Sequence, residues 1–178
     1  MQKSHFISFF LIILLLVTSK AFGEQDTYQL EKISNMFFTN IQNKNFNKVS
    51  QIFHFPPNYS NQELEKDRNS VIKGLKYFDY EFGTISSYKK AETAKFFLEA
   101  NIGGGDIPYW KEHPQFAKMV YEVKFSKENE GFIVFYFCRI SDKYEIRSVG
   151  YALPMSRADT KERVREIFNG FMELIKSE

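Results

Sequence analysis

The chain has 178 residues, of which 24 are Lys or Arg and 22 are Asp or Glu, and hydrophobic residues make up 43% of it. A chain of this length builds one hydrophobic core and is too short for two well-stabilised domains. Its near-neutral charge gives no electrostatic basis for binding nucleic acid, and its single cysteine, Cys138, excludes an internal disulfide framework.

The first 23 residues have the pattern of a cleavable secretory signal. A basic start precedes the apolar run 6–17. That run suits a signal core and is shorter than the about 20 residues a membrane-spanning helix needs. Ala21 and Gly23 are small residues two positions apart, which predicts cleavage after Gly23 or, alternatively, after Ala21. An uncleaved membrane anchor is the other interpretation.

Removal of this signal changes the charge balance. Lys3 and Lys20 leave with it and no acidic residue does, so 22 basic and 22 acidic residues remain. We therefore expect an exported protein, periplasmic or secreted, with a signal peptide at 1–23 and one neutral domain at 24–178. For that domain we expect no nucleic acid partner and, after cleavage, no membrane contact.

Three helices are predicted before any strand. Asp26 is a suitable N-cap for the first helix, and the second ends before Pro56 because proline disfavours a helical residue in front of it. The third begins at Ser60, which has capping-box spacing to Glu63. The apolar positions recur at helical spacing, which predicts core-facing stripes: Leu30, Ile33, Phe37 and Ile41; Phe46, Val49 and Phe53; Leu64, Val71, Ile72, Leu75 and Phe78.

Five strands and a last helix are predicted after Asp79, where the apolar period changes. The connections between the last three strands are short and polar, which predicts an antiparallel meander. Pro154 ends the last strand, and Ser156 or Asp159 caps the final helix. The fold class is therefore α+β. The predicted strands are 82–88, 95–102 (with a helix at 91–98 as the alternative), 118–125, 132–140 and 144–153.

Pairing these strands without a bulge predicts which side chains share a face. Tyr121 then lies opposite Tyr136, and Tyr136 lies opposite Ser148. This face is nearly all apolar, and the small residues at 148, 150 and 152 leave room for a pocket. The other face has an Arg139–Glu145 ion pair and an apolar patch of Phe135, Phe137, Val149 and Tyr151.

A glycine-rich loop supplies two further candidates for ligand contact. Gly103, Gly104 and Gly105 are followed by no Lys-Ser or Lys-Thr, so the loop is not a phosphate-binding loop. Tyr109 and Trp110 follow them, and an aromatic-tipped loop over a face with small residues is able to cover an apolar pocket. Plugging the end of the core is the other interpretation of these two side chains.

The titratable residues give no convincing catalytic motif. His54 and His113 have no second His at metal-ligand spacing, and Cys138 alternates with apolar neighbours as a buried, inert thiol does. We therefore predict no metal, no cofactor and no assigned catalytic residue. The enzyme hypothesis needs His54 or His113 beside Asp67 or Asp79.

Three helices followed by an antiparallel meander resemble the nuclear transport factor 2-like, or cystatin-like, superfamily, nearest to its exported bacterial members. The likeness covers 26–154 and leaves out the last helix. It implies a curved, cone-like sheet. Members include isomerases, dehydratases, ligand binders and partner-docking modules, often dimeric through the sheet, and the enzymes place acids, His or Tyr in the cone. The residues that carry the likeness are 46–53, 80–83, 120–125, 132–137 and 144–153.

Three functional hypotheses follow. The first is an exported domain that binds a small apolar or amphipathic ligand, or a partner, in the sheet cone. The second is an enzyme of the same fold that uses a His/Asp pair. The third is a homodimeric interaction module that uses the apolar patch at 135, 137, 149 and 151. The ligand-contact candidates of the first are Tyr121, Tyr136, Ser148, Tyr109 and Trp110.

Overall fold

A computed structural model describes residues 26–91, 97–103, 116–154 and 158–176. It confirms the α+β class, since three helices precede an antiparallel sheet and one helix follows it. None of the helices within the described ranges is long and apolar enough to cross a membrane. The elements are α1 (26–42), α2 (Phe46–Ser50), α3 (Asn61–Phe82), β1 (Ile85–Lys90), β2 (Phe97–Gly103), β3 (Phe116–Phe125), β4 (Gly131–Ile140), β5 (Lys143–Pro154) and α4 (Thr160–Lys176).

The long helix α3 begins and ends where its sequence signals are strongest. The backbone N–H of Glu63 donates to Ser60 Oγ, and the backbone N–H of Ser60 donates to the Glu63 carboxylate at 2.7 Å, which confirms the predicted capping box. The Ser60 hydroxyl and then the Ser60 backbone N–H, which both donate to the Glu63 carboxylate, lower the pKa of that group. Gly83 ends the helix at φ +85°, where a Cβ atom would lie 2.8 Å from the backbone nitrogen of Lys127.

The sheet is open and has the strand order β1-β3-β4-β5-β2, with every pair antiparallel. The predicted meander of β3, β4 and β5 is confirmed. β1 and β2 form the two edges, so the early strands flank the later hairpins on opposite sides.

The predicted register between β3 and β4 is wrong. Tyr121 lies opposite Ile133, where the sequence placed Tyr136. The shift is an odd number of residues, so Tyr121 and Tyr136 are on opposite faces of the sheet. The register between β4 and β5 is confirmed over its first half, where Tyr136 lies opposite Ser148.

A bulge in β5 changes the register beyond that point. Phe137 lies opposite Ile146, which leaves Arg147 as the extra residue. The predicted Arg139–Glu145 ion pair is therefore not formed: Arg139 lies 3.6 Å from Asp26 and 5.6 Å from the Tyr144 ring.

One face of the sheet forms the main core with α1, α3 and α4. The ring centroids of Phe37 and Phe135 are 5.0 Å apart, and those of Phe78 and Tyr151 are 4.9 Å apart. The apolar patch at 135, 137, 149 and 151 is therefore the buried centre of the molecule. It is not available as the dimer interface that the third hypothesis required, because the helices that precede and follow the sheet cover it.

The strand β4 is buried on both faces, as its continuous apolar sequence predicts. Phe132 and Val134 on the second face are as buried as the residues of the main core. In α4, Val164, Ile167 and Phe171 face inward, whereas 44% of Phe168 is exposed.

The buried hydroxyl group of Tyr151 leads to a prediction about stability. Tyr151 Oη is buried and forms no hydrogen bond within the described part of the chain, whereas the Tyr121 hydroxyl hydrogen-bonds Ser34. Burial, with a smaller contribution from Asp79, raises the pKa of Tyr151. We expect Tyr151→Phe to leave the free energy of unfolding unchanged or raise it by about 1 kcal/mol, and Tyr121→Phe to lower it by about 1 kcal/mol. Urea denaturation measures both, and an equal loss in the two variants would contradict the assignment.

Candidate functional site

A cleft of about 360 Å³ lies between α1, the segment that joins α2 to α3, the first turns of α3 and the start of β5. Seven of its ten lining residues are apolar or aromatic, and the other three are a glutamine, an arginine and a glutamate. Polar and apolar atoms share the exposed wall about equally. The lining residues are Ile33, Met36, Gln51, Ile52, Phe53, Phe55, Leu64, Arg68, Tyr144 and Glu145.

Two other depressions offer less chemistry. One, of about 470 Å³, lies beside β1, β3 and β4, where Lys89 and Glu122 neutralise each other at 3.1 Å. The other, of about 420 Å³, lies on the outer surface of α1 and is lined by that helix alone. The first cleft has walls from α1, α3, β5 and the segment between α2 and α3, and it places apolar side chains beside the half-buried side chain of Arg68.

The wall between α2 and α3 is fixed to the sheet by backbone pairing. The His54 N–H donates to the Ile146 carbonyl at 2.7 Å, and the Ile146 N–H donates to the Ile52 carbonyl at 3.2 Å. Ile146 is next to the bulged residue Arg147, and at this irregular end of β5 its backbone forms a short parallel bridge with Phe53. The aromatic residues Phe53 and Phe55 are thereby held at the cleft.

A contact between two side chains joins the same two segments. Nδ1 of His54 lies 2.8 Å from Oε2 of Glu145, and His54 is only 5% exposed, whereas 43% of the Glu145 side chain is exposed. Glu145 lines the cleft and His54 lies behind it. The pair therefore orients the Glu145 carboxylate and fixes the cleft wall.

The predicted pairing of His54 with Asp67 or Asp79 is not formed in the described part of the chain. Asp67 lies near the Tyr59 hydroxyl, and Lys44 Nζ donates to Asp79 at 2.6 Å. His54 instead contacts Glu145, and His113 lies outside the described residues. Burial first, and then Asp67, raises the pKa of Tyr59.

Arg68 is the cationic residue among those that line the cleft. Its guanidinium carbon lies 6.0 Å from the centre of the Phe55 ring, and its Nε is buried. Within the residues that the structure describes, Arg68 forms neither a hydrogen bond nor an ion pair. The Nε atom is enclosed by the protein, so the two Nη groups are the donors that a ligand in the cleft is able to reach.

Cys138 has the inert environment that its sequence predicts. It is buried, its Sγ lies 3.8 Å from the Glu145 carbonyl, and burial, followed by the charge of Glu145, raises the pKa of the thiol to about 11. At pH 8 we expect the native protein to react with a thiol-specific disulfide reagent at least about a hundredfold more slowly than the unfolded chain, because the thiolate is scarce and shielded. Equal rates in buffer and in denaturant would contradict this expectation.

The predicted ligand contacts of the sheet are not brought together. Tyr121 is buried in the core with α1, whereas Tyr136 and Ser148 are paired on the opposite face and Tyr136 lies 5.0 Å from Lys118 Nζ. Tyr109 and Trp110 lie outside the described residues. Tyr121 and Tyr136 therefore do not line one pocket on the sheet, contrary to the prediction from the sequence.

Sequence reasoning missed Arg68, although a signal for it exists. Arg68 is four residues after Leu64 and three before Val71, so it occupies a position in the apolar stripe of α3. A charged residue in an apolar stripe is rarely buried unless it has a partner, so such a position indicates a candidate binding residue. No local signal joins His54 to Glu145, which are 91 residues apart.

Within the described ranges, no group of three or more His, Cys, Asp or Glu side chains is placed to hold a metal ion. Comparison with protein-family models, with curated proteins and with solved structures finds no match to this chain. The function is therefore argued from the cleft itself.

Proposed function

We propose that this domain binds a small amphipathic molecule in the cleft between α1 and α3. The observation that carries the proposal is one site that combines several apolar side chains with the guanidinium of Arg68, which has no ion-pair or hydrogen-bond partner among the described residues. A volume of about 360 Å³ is at the lower end of the range for small-molecule pockets. The proposal keeps the ligand-binding hypothesis and moves its site from the sheet to the cleft.

The geometry supports binding better than catalysis. A general base must reach the substrate, and the buried His54 does not line the cleft. Glu145 does line it, but its carboxylate is held by His54. Export of the domain and its likeness to the nuclear transport factor 2-like superfamily stay predictions from the sequence, and the proposed function depends on neither.

Native mass spectrometry of residues 24–178 as purified, followed by thermal denaturation with octan-1-ol, tests the proposal. A neutral probe reports on the apolar cleft without involving Arg68. At about ten times its dissociation constant, a ligand raises the stability by about 1.4 kcal/mol, which corresponds to roughly 3–6 °C in a domain of this size.

A cleft-filling variant locates the binding. Leu64→Trp places a large side chain in the lining and should abolish the octan-1-ol shift, whereas Leu174→Trp, on the exposed side of α4, should retain it. Retention of the shift in both variants, or its absence in the unmodified protein, would refute the proposed site.

A further inference from the structure

We propose that the ligand of this cleft carries a single carboxylate, which the guanidinium of Arg68 binds. This inference rests on the proposed function, because it names the head group of the molecule that the cleft holds. Its first support is the charge inventory of the cleft walls. Glu145 Oε2 lies 2.8 Å from His54 Nδ1, and no carboxylate of the described residues is within ion-pair distance of the Arg68 guanidinium.

The chemistry of the guanidinium favours an oxyanion as its partner. Arginine presents five N–H donors in a planar fork that matches the two oxygens of a carboxylate, and such charge-assisted hydrogen bonds are about twice as strong as neutral ones. The Phe55 ring beside the guanidinium and the burial of Nε reduce competition from water. A ligand with a carboxylate would therefore give the Arg68 guanidinium the anionic partner that the described residues do not provide.

A second negative charge is disfavoured at the same place. The Glu145 carboxylate also lines the cleft and would repel a dianion more than a monoanion. This selects a carboxylate over a phosphate monoester, which carries close to two negative charges at neutral pH. The apolar residues Ile33, Met36 and Leu64 then receive the hydrocarbon part of the ligand.

The experiment compares octanoate, octan-1-ol and octyl phosphate on the same protein by isothermal titration calorimetry at low salt. We expect octanoate to bind at least about tenfold more tightly than octan-1-ol, and octyl phosphate to bind more weakly than octanoate. Equal affinity for octanoate and octan-1-ol would overturn the inference and leave the proposed function standing. Absence of binding by all three probes would refute both.

Two substitutions assign the preference to Arg68. Arg68→Met removes the charge but keeps a long apolar side chain beside Phe55, and it should bring the octanoate and octan-1-ol affinities to within about threefold of each other. Arg165→Met makes the same charge change on the exposed side of α4 and should leave the preference intact. A preference that survives Arg68→Met would overturn the inference. Should that variant fail to fold, Arg68→Gln is subject to the same criterion.

Discussion

Replacing Phe135 with alanine is expected to lower the free energy of unfolding by about 3–5 kcal/mol, which is the usual cost of removing a fully buried phenylalanine. The residue is 0% exposed. Its ring centroid lies 5.0 Å from that of Phe37, 5.5 Å from that of Phe38 and 5.7 Å from that of Tyr121. The cavity would open at the centre of the contact between α1 and the sheet, where no neighbour is free to fill it.

The neighbouring residue is the matched control. Tyr136 is half-buried on the opposite face, beside Lys118, and Tyr136→Ala should cost only about 1–2 kcal/mol. Chemical denaturation of both variants measures the difference directly. The strand pairing predicted from the sequence placed Tyr136 on the face of Tyr121, so a larger loss for Tyr136→Ala than for Phe135→Ala would favour that pairing over the structure.

The disagreement over this register has a tertiary cause. The local pattern predicts the strands of the two hairpins to within two residues, because alternation and turn residues are local signals. Register depends on how residues 126–130 fold. There the Ser126 N–H donates to the Thr84 carbonyl and the Lys127 N–H to the Phe82 carbonyl. These partners are more than forty residues earlier in the chain, so turn rules applied to the hairpin alone do not include them.

The candidate site also has one part that the sequence pattern indicates and one part that depends on tertiary contacts. The arginine in the apolar stripe of α3 is visible in the sequence, since Arg68 continues the spacing of Leu64 and Val71. The partner of His54 is not, because it depends on the bulge at Arg147 and on the bridge between Phe53 and Ile146. Sequence periodicity describes single elements, whereas this site forms where three elements meet at the irregular end of a strand.

Replacing Arg163 with methionine is expected to lower the free energy of unfolding by about 2 kcal/mol. The Nε of Arg163 donates to Glu128 at 3.1 Å, and its Nη2 donates to both the carboxylate and the backbone carbonyl of Glu81 at 3.1 Å. Burial alone would lower the pKa of Arg163, but the hydrogen bonds to the two glutamates outweigh it and raise the pKa. Since 27% of the Arg163 side chain is exposed, we expect less than the 3–5 kcal/mol of a fully buried pair.

A double-mutant cycle separates this ion pair from the packing of the arginine stem. Glu128→Gln alone should also destabilise the protein, and the double variant should lose about 1 kcal/mol less than the sum of the single losses. Arg165→Met, on the exposed side of the same helix, should change the stability by less than about 0.5 kcal/mol. Strict additivity, or an equal loss in Arg163→Met and Arg165→Met, would contradict the role assigned to this cluster.

The ion pairs of Arg163 with Glu128 and Glu81 lie next to the turn that sets the register of β3 and β4. Glu128 is in the connection between β3 and β4, is only 8% exposed, and its carbonyl accepts from the Phe125 N–H. Arg163 therefore holds the turn that sets the register, through a contact between α4 and a loop 35 residues earlier. If that contact is lost, the turn keeps its backbone hydrogen bonds to Thr84 and Phe82 but loses its side-chain contact with α4. We therefore expect Arg163→Met to speed amide hydrogen exchange first in residues 126–130, before exchange in the centre of β4 changes.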